Sequence, residues 1–63
     1  MNEFTARNPK QLDLCLRMLY SEKIPFAVTI KETDKLRIEY VIRIETDHQM
    51  YEVLKERYRI LIS

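Results

Sequence analysis

Polar and apolar residues alternate along this chain with two different periods, and each change of period marks an element. Phe26, Val28 and Ile30 alternate singly with Ala27, Thr29 and Lys31. Leu36, Ile38, Tyr40, Ile42 and Ile44 do the same with Arg37, Glu39, Val41, Arg43 and Glu45. A two-residue repeat is that of a strand with one buried face. Leu12, Cys15, Leu16 and Leu19 instead fall at i, i+3, i+4 and i+7, the buried stripe of a helix. Leu14 and Met18 make that helix apolar on a second face as well. Phe4-Thr5-Ala6-Arg7 reads as a short first strand, with Phe4 and Ala6 on one side.

The signals at the ends of these segments agree with the periods. Asn8-Pro9-Lys10-Gln11 is a helix start: Asn8 is a good N-cap, Pro9 suits the first helical position, and Gln11 can complete a capping box. That helix is expected to run to about Glu22, and Pro25 opens the next strand. Facing residues of an antiparallel pair share a side, so Ile30 must sit across from an even-numbered apolar residue. This parity requires an odd loop, most simply of three residues, with Asp34 or Lys35 as the left-handed residue and Asp34 favoured. Thr46-Asp47-His48-Gln49 predicts a second helix, with Thr46 as its cap and Met50, Tyr51 and Leu54 following at helical spacing. From Arg57 to Ile62 the alternation returns, with Tyr58, Ile60 and Ile62 on one side, which favours a last strand over a continued helix.

The resulting order is β-α-β-β-α-β, a small α+β domain of ferredoxin-like arrangement spanning residues 1–63, with two helices on one face of a four-stranded antiparallel sheet. The alternative is β-α-β-β-α with a long C-terminal helix. Neither arrangement implies a function by itself.

Composition then narrows the chemistry. The 63 residues include no Gly, so a backbone loop that closely cradles phosphate is not expected. A chain this short has a small core and usually needs a staple. One Cys allows no internal disulfide, and one Cys with one His argues against a structural zinc site of the usual four ligands. Self-association is the staple that remains, and a homodimer is expected. The start of the chain carries no secretory pattern and no run is long enough to span a membrane, so with a free thiol the expected setting is cytoplasmic. No metal or cofactor is expected. Cys15 lies in the apolar stripe and reads as a buried hydrophobe, and His48 reads as a solvated residue in a first helical turn. No catalytic constellation follows from them, and the protein is expected not to be an enzyme.

Two surfaces stand out. Under the four-strand arrangement the open sheet face carries Arg7, Lys31, Arg37, Arg43, Arg57 and Arg59 against Glu3, Glu39 and Glu45, a net of +3 in a chain whose formal charge is +1. Such a face can dock an acidic protein or nucleic acid, since guanidinium groups bind carboxylate and phosphate bidentately. Phe4, Phe26, Tyr40 and Tyr58 have the opposite parity, which disfavours RNA binding by base stacking. The second surface is Leu14, Met18 and Tyr20 on the first helix, a candidate for self-association. The functional expectation is a non-enzymatic protein-binding module that occludes a larger partner as a homodimer. An inhibitor or regulator of a nucleic-acid-processing protein, of phage type, is one specific form. The alternatives are a nucleic-acid-binding protein using the Arg-rich face and a small-molecule-sensing regulatory domain.

Overall fold

The computed structural model describes residues Asn2–Ser63. Strand β1 (Asn2–Ala6) leads to helix α1 (Pro9–Ser21), the hairpin β2 (Phe26–Glu32) and β3 (Ile38–Ile44), and helix α2 (His48–Ile62). The strands form one antiparallel sheet in the order β1-β3-β2. This is a small α+β fold of three strands and two helices, with the β-α-β-β-α order that was the alternative. The expected fourth strand is absent among the described residues, because Arg57–Ile62 continues α2. Leu54 and Tyr58 explain the outcome: four residues apart on one helical face, both are buried. Read as a strand, the segment would have thrown Leu54 out of that pair.

Local chemistry fixes the helix ends. The Asn8 side chain accepts from Gln11 N at 2.8 Å, and Pro9 occupies the first turn. Gln11 Oε1 does not return to the cap but accepts from Arg7 N at 3.0 Å. The second cap is Asp47, not Thr46: its carboxylate accepts from Met50 N at 2.7 Å. The Thr46 carbonyl instead accepts from Asn2 Nδ2, tying the start of β1 to the end of β3. Helix α1 ends in a Schellman motif, in which Lys23 N donates to Tyr20 O and Ile24 N to Leu19 O. Lys23 takes the left-handed position at φ 56°, where Gly is usual.

The hairpin obeys the expected parity, with Ile30 opposite Tyr40 and Glu32 opposite Ile38. Thr33 N donates to Arg37 O at 2.8 Å and Leu36 N to Thr33 O at 3.1 Å, leaving Asp34-Lys35-Leu36 as a three-residue tip. Its left-handed residue is Leu36 at φ 59°, not Asp34. A type I turn closed by a left-handed third residue requires this placement. Strand β3 accordingly starts at Ile38 instead of Leu36.

The core lies between the even-numbered sheet face and the helices. Phe4, Ala6, Ile42 and Ile44 from the sheet meet Cys15, Met18 and Leu19 of α1 and Leu54 and Tyr58 of α2. Leu12 and Leu16 are half-buried beside them. Met18, expected at an exposed contact, is core because α2 packs along α1 and encloses that face.

Candidate functional site: the uncovered flank of the β2–β3 hairpin

The two edges of the sheet differ sharply, and backbone geometry explains how. In an antiparallel pair, residues that exchange hydrogen bonds alternate with residues that do not. The bonds Thr33 N to Arg37 O and Glu45 N to Pro25 O identify the odd-numbered rows of β2 and β3 as the exchanging ones. The even residues of β2 (Phe26, Val28, Ile30 and Glu32) therefore aim their N–H and C=O groups away from the sheet. Carried across β3 to β1, the same alternation makes Glu3 and Thr5 the outward residues of the opposite edge.

That opposite edge is occupied. The Tyr51 hydroxyl donates to Glu3 O and the Tyr58 hydroxyl to Thr5 O, each at 2.9 Å. Both rings also pack on Phe4, with centroids 5.4 Å away. Helix α2 thus clasps β1 where a fourth strand would have paired. Burial raises the Tyr58 hydroxyl to about 12, reinforced by the neighbouring Cys15 thiol group.

The β2 edge has no such cover. Among the described residues, no strand lies beyond it. The helices pack on β1 and on each other, and of β2 only Phe26, among the described residues, packs against the core. Side chains that alternation assigns to the core are therefore open to solvent: Val28 is 39% exposed, Ile38 53% and Ile30 67%. Tyr20 of α1 stands edge-on to Phe26 at 5.6 Å and borders this strip at one end. At the other end Leu36, Ile38 and Tyr40 line an open cleft of about 820 Å³ beneath Arg7, Asn8 and Pro9. The strip is apolar in its side chains and polar in its free backbone, the combination used for adding a strand.

The residues expected on an Arg-rich face are not brought together. Arg57 and Arg59 lie on α2, where Arg57 pairs with Glu22 at 2.8 Å and Arg59 with Glu56. The Arg59 hydrogen bond and charge hold the exposed Glu56 carboxyl below its ordinary range. On the open sheet side, Arg43 lies 3.7 Å from Glu3, and Glu39 faces Lys31 across the hairpin and lines a cleft with Arg7. Arg37 stands at the hairpin end, opposite Thr33. Without Arg57 and Arg59 the face falls from +3 to +1, with its charges interleaved across strands. Leu14 is half-buried and Tyr20 is 73% exposed, so of the three expected self-association residues only Tyr20 adjoins the uncovered strip.

Cys15 is fully enclosed, and burial pushes its thiol up to about 11. His48 is exposed beside Glu52 at 3.6 Å. Among the described residues, no group of three His, Cys, Asp or Glu is placed to hold a metal ion. No described helix is long and apolar enough to cross a membrane.

Sequence reasoning missed Val28, Ile30 and Ile38 as surface residues. One signal for them existed: Glu32 is even-numbered, a charge on the side assigned to the core, and an inward charge marks an edge strand. In comparisons with known proteins, no family model, no curated protein and no solved structure matches this chain.

Proposed function

We propose that this chain is a non-enzymatic protein-binding module that regulates a larger protein by occluding one of its surfaces. The observation that supports this is the β2 flank, where outward backbone groups run beside the exposed side chains of Val28, Ile30 and Ile38. The partner it fits is an exposed sheet edge or extended segment with apolar residues at alternate positions. Its backbone would extend the ladder of β2, and its side chains would cover the strip. Main-chain bonds supply affinity in such additions, and the alternate side chains supply selectivity. Occupying an edge blocks whatever the partner uses that edge for, which makes the module an inhibitor by position.

The test begins with capture from the native host, using the parent chain and Ile30→Lys as paired baits. The retained protein is then purified and titrated against both. Saturable binding of the parent, weakened about 100-fold by Ile30→Lys, is the expected result. A purified pair that does not bind, or that binds both forms equally, overturns the proposal.

A further inference from the structure

We infer that the free β2 edge also pairs with the β2 edge of a second copy, giving a twofold dimer with one continuous six-stranded sheet. This rests on the reading of β2 as an interaction edge and adds which chain occupies it when no other partner is bound. Complementarity, closure and need support it.

The first is complementarity. With Val28 on the twofold axis, antiparallel β2 strands place Phe26 of each copy opposite Ile30 of the other, and Val28 meets its own counterpart. Phe26, Val28 and Ile30, the apolar helix-side residues of β2, then each face an apolar residue. The outward backbone groups of Phe26, Val28 and Ile30 match, because all three belong to the outward set. The charges also agree. Lys31 falls opposite Pro25 and Glu32 opposite Ile24 of the other copy, so no like charges meet.

The second is closure. An exposed apolar edge invites endless strand addition. Here a twofold pairing consumes both β2 edges and leaves two β1 edges at the ends of the joined sheet. Those carry the Tyr51 and Tyr58 hydroxyls on their outward carbonyls. The assembly therefore stops at two copies, as a closed isologous interface should.

The third is need. Among the described residues the core consists of nine buried ones, and the one Cys, itself in that core, has no disulfide partner. A domain of this size gains most from a partner that covers apolar surface. Self-pairing and partner binding then compete for one edge, so the dimer holds the docking strip covered until a better-matched edge displaces it.

Sedimentation equilibrium from roughly 1 µM to roughly 1 mM tests this. A reversible monomer–dimer equilibrium is expected, with no larger species. Ile30→Lys places two unpaired charges in the interface by symmetry and should weaken the dimer at least about 100-fold. The side chain is 67% exposed in the single chain, so the variant folds. Val28→Pro is the second variant. The Val28 N–H points outward and makes no bond to β3, so an edge proline spares the fold while removing an intermolecular donor. Val53→Lys, at an exposed site on α2, should leave the dimer unchanged.

A parent chain that stays monomeric throughout, or a dimer indifferent to Ile30→Lys and Val28→Pro, overturns self-pairing. So does a dimer broken equally by Val53→Lys. The partner-binding reading is judged separately, by titration of the purified pair.

Discussion

Lys23 and Leu36 sit at φ 56° and 59° without being glycine. A side chain with a Cβ is crowded against its own backbone in that region, at a cost of roughly 1–2 kcal/mol per residue. Each position nevertheless has to be left-handed. Lys23 closes the Schellman turn that ends α1, and Leu36 closes the tip of the hairpin. Leu36 is 84% exposed, so its side chain recovers little by packing. Replacing either residue by Gly should therefore stabilise the fold by about 1 kcal/mol, less what the freer unfolded chain takes back. The two sites share no partner and their effects should add. Urea unfolding of Lys23→Gly, Leu36→Gly and the pair checks this. A midpoint that falls in both single variants would mean the left-handed geometry is not what these positions require.

At the scale of elements, the contact between α2 and β1 decides the architecture. Tyr51 and Tyr58 lie seven residues apart, on one side of α2, and reach the two outward carbonyls of β1 on either side of Phe4. Tyr58→Phe keeps the ring packing but leaves the part-buried Thr5 carbonyl without its donor. It should cost about 1–2 kcal/mol, and Tyr51→Phe, at a more exposed bond, about half as much. Thermal unfolding of the two variants measures the difference; equal and negligible losses would show that the rings alone hold the helix.

The same element shows where the sequence stops being legible. Strands β1, β2 and β3 and helix α1 each carry one period and one set of end signals, and they were readable. Residues 57–62 satisfy two periods at once: Tyr58, Ile60 and Ile62 alternate, while Leu54, Tyr58 and Leu61 also lie along a helix. After Tyr58 the final turn of α2 is exposed, so it supplies no buried stripe to break the tie. The candidate site was obscured for a related reason. Alternation reports that a strand has an apolar side, but not whether a helix lies over it. Val28 and Ile30 look the same in sequence as Ile42 and Ile44, yet the first pair is open and the second is core.

At the scale of the whole molecule, stability and pH are linked through Cys15 and Tyr58, the two core groups that can lose a proton. Folding raises the Cys15 thiol to about 11 by burial, and the Tyr58 hydroxyl to about 12 by burial and then by the Cys15 charge. In the unfolded chain they ionise near 9 and 10. The unfolded state therefore sheds protons first as pH rises, and folding stability falls along the way. The contribution of both groups is complete below about pH 9 and is lost progressively between the unfolded and folded values. Urea unfolding at fixed chain concentration, followed from pH 7 to 11, should show that decline begin near pH 9. Cys15→Ala, although less stable throughout, should delay its onset to about pH 10, where only Tyr58 remains. The same burial makes the thiol a reporter: at pH 8 it should react with an aromatic disulfide reagent only as fast as the fold opens. A flat profile through this range, or labelling at the rate of a free peptide thiol, would place Cys15 outside the core and remove the link between these two residues and the cohesion of the domain.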